Sequence, residues 1–357
     1  MLPVRIFSGG ETMSKVERRR FLKAAGVSAA GVSAALHAPG VLGAGLSAPS
    51  PGPDVPAPDV PGPTKYPKLS IITPYTAEKL RFAASAGYEG VVVPVTDTFG
   101  PEHLSDSQID QVLATAREAG VRIISIECMW GYNHIARDAA QRRDNQARFI
   151  RALEFGHRLG CKFVGTFSGG MAGASMEDQA KALADAFNEQ YQPVCDKLDL
   201  NTGWENYPTE TNFATTPAAW EAVFSRVPSP RLGLEFDPSH LVRQYIDPIR
   251  AAWEMQPRIH AVHAKDTEIT KPVLQQVGIH GKGWWRYRIP GQGLIDWPAF
   301  ITVLLQAGFA GGIAVEHEDE FWDKSNTENQ PDFPQERKDG FILAHRFLSM
   351  YLPGRMD

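Results

Sequence analysis

The sequence predicts an α/β fold, a (β/α)8 TIM barrel, and three observations lead to it. Eight short β-branched or apolar runs alternate with stretches of helical pattern, as a parallel sheet with crossover helices requires. The part that carries them, residues 69–357, holds the roughly 250 residues of such a barrel with room for extensions. Acidic residues and one histidine stand at the ends of four consecutive runs, where a barrel gathers its working side chains. A doubly wound open sheet shares the alternation and is the competing fold.

Composition agrees with one large buried core: of 357 residues, 43% are hydrophobic and 22% charged. A net charge of -5 gives no general attraction to nucleic acid or to an anionic membrane, so no nucleic-acid partner is expected. Cys128, Cys161 and Cys195 are far apart and form no C-x-x-C pair, which suggests neither a disulfide framework nor a zinc ribbon.

Residues 1–46 contain Arg18-Arg19-Arg20-Phe21-Leu22-Lys23, followed by an Ala/Gly-rich, weakly apolar run from Ala24 to Leu36. This segment resembles a twin-arginine export signal, which implies a periplasmic or other extracytoplasmic protein. No later stretch reaches the ~18–20 uncharged apolar residues of a spanning helix, so no membrane span is expected after export. Residues 47–68 read as a proline-rich linker that favours extended polyproline geometry and cannot pack a core.

The expected strands are Leu69–Thr73, Gly90–Val95, Arg122–Glu127, Lys162–Phe167, Asn201–Glu205, Leu232–Asp237, His260–Lys265 and Gly312–Glu316. Helices are expected over Ala77–Ala86, Asp106–Ala119, Ala139–Leu159, Met176–Leu198, Pro217–Arg226, Ile249–Met255, Pro298–Ala307 and Gly340–Tyr351. Within the third, Ala147, Ile150, Leu153 and Phe155 make an apolar face at close to helical period. Endings such as Glu118-Ala119-Gly120 and Gln306-Ala307-Gly308 match the glycine stop before a strand. Between Lys265 and Pro298 a long connection rich in Gly, Trp and Arg is expected to wall the active site.

Placed on these strands, Glu205, Asp237, His263 and Glu316 fall at or near the ends of strands five to eight. Barrel strand ends converge on one mouth, so the four offer three hard oxygen donors and one imidazole to a single divalent cation. Such a set suits Mn²⁺, Co²⁺ or Mg²⁺ at least as well as Zn²⁺. A cation there would stabilise an enediolate, and carboxylates on opposite faces of the substrate could remove and return a proton. Glu205 and Glu316, on nonadjacent strands, are the candidates for that work.

Trp204-Glu205-Asn206-Tyr207, Phe236-Asp237-Pro238-Ser239-His240, His263-Ala264-Lys265-Asp266 and Val315-Glu316-His317-Glu318 resemble, in order, the four strand-end motifs of the xylose-isomerase-like barrel superfamily. That group includes ketose 3-epimerases, inosose isomerases and dehydratases, and zinc AP endonucleases. The resemblance implies that Glu205, Asp237, His263 and Glu316 bind metal and that the two glutamates transfer protons. It also implies a substrate-oxygen contact for His240 and a substrate-facing arginine near Arg286 or Arg288, and Trp284 beside them could stack on a sugar ring.

Other readings stay open. Lys265 could neutralise an oxyanion or pair with Asp266. Glu127 and His134, flanking Trp130, could bind sugar hydroxyls or line a loop. Ser168-Gly169-Gly170 lacks the lysine or basic cluster that phosphate recognition needs. The partner is then a small-molecule carbohydrate, and the reaction an isomerisation or epimerisation of a sugar, keto-sugar or cyclitol. A lyase on 3-keto-glycosides shares its first step. A repair phosphodiesterase would need more metal-binding residues after strand seven, where this chain has Trp284-Trp285-Arg286-Tyr287-Arg288. A noncatalytic sugar-binding protein would not need two flanking glutamates.

Overall fold

The computed structural model describes residues 67–324 and 333–352. The expected export signal, and the linker apart from its last two residues, lie outside the described residues. Eight parallel strands close into a barrel: β1 (Lys68–Ile72), β2 (Gly90–Pro94), β3 (Arg122–Cys128), β4 (Phe163–Thr166), β5 (Asn201–Glu205), β6 (Leu232–Phe236) and β7 (Ile259–Ala264), then, after two short strands, β10 (Gly312–Val315). Strand β10 pairs with both β7 and β1 and completes the ring, which excludes the open sheet. Every expected strand is present to within one residue at either end.

Local sequence explains the crossover helices. Asp106–Ala119 starts where the Ser105 backbone N–H donates to Gln108 Oε1 at 2.9 Å, and ends at Gly120, whose φ of 81° suits a residue without Cβ. Thr76, Asp138, Ser175 and Thr216 cap other helices by accepting a first-turn N–H. The helix expected over Met176–Leu198 is interrupted by a π turn at Phe187–Tyr191. Pro193 explains it: without an N–H and with a bulky ring, it cannot bond the carbonyl four residues back, and the wider turn absorbs the misfit.

The long connection after β7 has regular structure of its own: it carries an antiparallel hairpin of β8 (Asp266–Ile269) and β9 (Trp285–Arg288), with a short helix over Lys271–Val277 between them. Buried Asp266 accepts from the Thr267, Gly291 and Ile295 backbone N–H groups and from Trp297 Nε1, all at 2.8–3.1 Å. That one carboxylate ties both ends of the connection to the barrel. Lys265 and Asp266 therefore serve different neighbours.

The main core lies between the strands and the helices. Inside the ring a separate apolar group comprises only Ile72, Val92 and Ala314. Much of the remaining interior is polar, with Ser70, Ser125, Glu127, Glu235 and His263 buried. Among the described residues no helix is long and apolar enough to cross a membrane.

Candidate active site

Glu205, Asp237, His263 and Glu316 each present one ligand-type atom, all within 4.8 Å of one another. Glu205 closes β5 and Asp237 follows β6, where Pro238 turns the chain into a short helix, Pro238–Val242. His263 is the next-to-last residue of β7, and Glu316 follows β10. His263 Nδ1 lies 3.0 Å from both Glu205 Oε1 and Glu316 Oε2. Asp237 Oδ1 accepts the Ser239 N–H at 2.7 Å. Asp237 Oδ2 and Glu316 Oε2 are buried and, although Lys265 Nζ stands within ion-pair reach at 3.3 and 2.8 Å, neither is aligned with a hydrogen-bond donor. Buried oxygens without donors, converging beside an imidazole, fit a divalent cation.

A second layer lies behind His263. Its Nε2 is 3.1 Å from Glu127 Oε1 and 3.2 Å from Glu235 Oε1, and both carboxylates are buried. Glu127, which the sequence left open between a sugar contact and a loop lining, stands against the back of the imidazole. Glu235 has room because β4 carries Gly165 opposite it: a Cβ there would lie 2.0 Å from Glu235 Oε2. From the N-terminal end of the barrel, a cavity of about 580 Å³ reaches Glu235 and His263 past Lys68, Arg122 and Asn201.

This charge crowding shifts protonation. Burial pushes Glu127 up to about 7, and burial together with the nearby Glu316 pushes Glu205 up to about 7. Burial likewise raises Glu235, Asp237 and Glu318. Glu316 goes the other way: although burial opposes its charge, Lys265 and His263 draw it down to about 2. Lys265, 2.6 Å from Glu318 and 2.8 Å from Glu316, is held well above the usual range by those carboxylates in spite of its burial.

The remaining candidates divide. His240 is fully buried, with Nε2 3.0 Å from Glu205 Oε1 and 3.2 Å from Asp237 Oδ2 and Nδ1 2.8 Å from the Tyr287 hydroxyl. Both ring nitrogens are engaged, so the substrate contact expected of His240 would require breaking one of these bonds. Arg286 pairs with Glu268, Arg288 pairs with Glu268 and Asp319, and Trp284 is buried against Tyr245. Alternation along β9 is the reason: Trp285 and Tyr287 share one face, Arg286 and Arg288 the other. His134 is a core residue, bonded to Tyr191 and Thr166 at 2.7 and 3.0 Å, while Trp130 is 69% exposed and meets Phe167 and Tyr207 edge-on.

Glu235, Tyr287, Arg243 and Glu318 escaped the sequence reading. Glu235 carried a usable signal, because it precedes Asp237 by two on a strand and so faces the same side. Arg243 carried none: its guanidinium packs over Trp285 at 4.5 Å and bonds the Pro208 carbonyl at 2.9 Å, contacts that bring together the connections after β5, β6 and β7.

A closed barrel with polar groups at the C-terminal ends of its strands defines an α/β barrel with a working mouth. Residues 80–337, well over half the chain, match the xylose isomerase-like TIM barrel family, and the chain belongs to that family. Over 100 residues it is 35% identical to the uncharacterized protein YfiH of Bacillus subtilis (strain 168), a match that spans 25% of this chain and 32% of that protein. Its fold is similar to that of D-allulose 3-epimerase from Methylomonas sp. (TM-score 0.61, 15% identity, 80% of this chain and 98% of the other). It is also similar to a xylose isomerase domain protein from Planctomyces limnophilus (0.59, 16%, 81% and 97%). A third similar structure is the 3-keto-D-glucoside 4-epimerase YcjR of E. coli (0.59, 14%, 78% and 99%).

Proposed function

We propose that the protein is a divalent-metal-dependent isomerase or epimerase of a sugar, keto-sugar or cyclitol. The observation that carries this reading is the pair Glu205 and Glu316, on nonadjacent strands, flanking a four-residue cluster fit for one cation. Folds similar to two named sugar epimerases support it. Glu205, Asp237, His263 and Glu316 would hold the ion, with Mn²⁺, Co²⁺ or Mg²⁺ suited to the three oxygens and Zn²⁺ the alternative. When bound, it supplies Lewis-acid polarisation of the substrate carbonyl.

The chain's own groups do the rest. One glutamate takes the proton next to the carbonyl, and the other returns one from the opposite face, which inverts that carbon. The Lys265 ammonium, beside Glu316, offsets negative charge developing on a substrate oxygen. Tyr207 and Phe167, stacked at 5.7 Å, and the exposed Trp130 offer aromatic faces to the apolar side of a sugar ring. Each guanidinium of β9 is already paired with carboxylates, an arrangement suited to an uncharged substrate.

Trp130 also favours a second reading, a lyase on 3-keto-glycosides, because it extends the aromatic wall to where an aglycone could rest. Export through the twin-arginine signal would place either enzyme outside the cytoplasm. The test is hydrogen exchange in D₂O with ketoses and 3-keto-glycosides, using metal-replete wild type, Glu205→Gln and Glu316→Gln. Glutamine keeps an oxygen donor but cannot take the proton, so turnover should fall by a factor on the order of 10²–10⁴ in both variants. Turnover near that of wild type in either one would refute a two-carboxylate mechanism.

A further inference from the structure

Two side chains, Tyr287 and His240, connect the ligand cluster to a guanidinium near the barrel mouth. Arg243 Nη1 donates to the Tyr287 hydroxyl at 2.5 Å, that hydroxyl lies 2.8 Å from His240 Nδ1, and His240 Nε2 lies 3.0 Å from Glu205 Oε1. Only one end of this chain has a fixed polarity. A guanidinium has donors and no acceptor, so the Tyr287 oxygen must accept from Arg243. The single tyrosine proton is then free to point at His240 Nδ1. A neutral imidazole that accepts at Nδ1 carries its hydrogen at Nε2, and that hydrogen meets Glu205.

The surroundings fix the order of this chain: His240 Nε2 faces carboxylate oxygens, Glu205 Oε1 at 3.0 Å and Asp237 Oδ2 at 3.2 Å, so it is the ring nitrogen that carries a hydrogen. His240 is fully buried. The Arg243 guanidinium sits against Tyr287 and Tyr207, the two aromatic rings that pack edge-on to His240. On the other side of Tyr287 the Lys265 ammonium lies 4.4 Å from the ring centroid. Cations thus flank the phenol on both sides, and neither can accept its hydrogen, which leaves His240 Nδ1 as the acceptor. Arg243 is itself fixed by the Pro208 carbonyl and by Trp285, so the donor at the start of the chain is rigid.

We propose that Arg243 and Tyr287 are positioning residues that set the tautomer of His240, and through it the orientation of the Glu205 carboxylate, holding Oε1 against an Nε2–H donor. The hairpin β8–β9 thereby becomes part of the site, because β9 delivers the hydroxyl. The assignment deepens the proposed function, yet its direct readout does not need turnover.

With ¹⁵N-labelled histidine, long-range ¹H–¹⁵N correlation spectra of the metal-free and Mg²⁺-loaded full chain report which ring nitrogen is protonated, and His240→Gln identifies the signal. The expected result is a hydrogen on Nε2 and a bare Nδ1 in wild type, and loss of that fixed pattern in Tyr287→Phe. Arg243→Lys, which keeps a donor, should retain the pattern, and Arg243→Met should lose it. In kinetics, Tyr287→Phe should lower kcat by roughly tenfold, the effect of one well-placed hydrogen bond, with KM and metal content little changed. A hydrogen on Nδ1 in wild type, or an unchanged spectrum in Tyr287→Phe, overturns the proposal. If no sugar is turned over but the tautomer behaves as stated, the proposed function fails and the positioning chain stands.

Discussion

Stripping divalent cations from the protein with a chelator is expected to lower its melting temperature, and the cluster sets the size of the effect. Without an ion, Asp237 Oδ2 and Glu316 Oε2 are buried with no aligned donor, and an unsatisfied buried polar atom costs about 1–3 kcal/mol. Glu205 and Asp237, also buried, add mutual repulsion that Lys265 offsets only in part. An ion that binds the folded chain alone at a hundred times its Kd adds about 2.7 kcal/mol, in the range of the two unsatisfied oxygens. For a domain of this size each kcal/mol moves Tm by roughly 2–4 °C, so the loaded protein should melt about 5–10 °C above the stripped one. Scanning calorimetry of chelated, Mn²⁺-loaded and Mg²⁺-loaded protein measures the shift. Asp237→Ala and His263→Ala should show little or none of it and hold less than one equivalent of metal. Equal melting temperatures for stripped and loaded wild type would refute the argument, since a cluster already satisfied by protons and Lys265 has nothing to gain from a cation.

Asp266→Asn replaces one acceptor oxygen with an amide that donates, leaving two of four buried donors unmatched at about 1–3 kcal/mol each. Urea unfolding should show a loss of about 2–6 kcal/mol with metal stoichiometry retained, and an unchanged midpoint would return Asp266 to a minor role. Trp130→Ala is expected to raise KM for a keto-glycoside roughly tenfold while barely affecting a free keto-sugar, and equal effects on both would remove Trp130 from any second-ring contact. Arg18→Lys with Arg19→Lys should leave the chain in the cytoplasm of the producing cell, judged by fractionation; continued export would show that the signal was misread.

The barrel was readable because its signals are local. A run such as Gly90-Val91-Val92-Val93 between glycine-stopped helices specifies a buried strand within a handful of residues, and the strand ends then follow. The four-ligand cluster was readable one step further on, since closure of the ring is enough to bring the ends of β5, β6, β7 and β10 together. What was not readable depends on contacts between loops. Asp266 looked like a partner for Lys265 because the two are adjacent, but adjacent residues on an extended segment point apart, and the hairpin separates their surroundings. Arg286 and Arg288 drew attention through the family resemblance, whereas Tyr287 between them is the residue that reaches His240. Deciding which face of β9 turns inward requires the register with β8, which rests on Asp266↔Arg288 and Glu268↔Arg286.

Among the described residues, two overlapping groups of side chains could each hold a metal ion: Glu205, Asp237, His263 and Glu316 at the mouth, and Glu127, Glu235 and His263 beneath it. They share His263, and a neutral imidazole has a single lone pair for a ligand bond. If Nδ1 binds at the mouth, Nε2 keeps its hydrogen, and that nitrogen lies 3.1 Å from Glu127 Oε1 and 3.2 Å from Glu235 Oε1. The lower carboxylates then act as acceptors that hold the ring and make it a stronger donor to the metal, as carboxylates behind metal-bound histidines commonly do. With Glu127 raised to about 7 by burial, the lower layer can keep a proton near neutral pH and avoid two bare charges in the barrel interior. The alternative, an ion in the lower group, would turn the only imidazole of the upper group away and leave its three carboxylates near Lys265 without a nitrogen donor. One cation at the mouth, with Glu127 and Glu235 behind His263, gives one ring nitrogen to the metal, leaves the other its hydrogen within reach of two carboxylates, and needs no imidazolate.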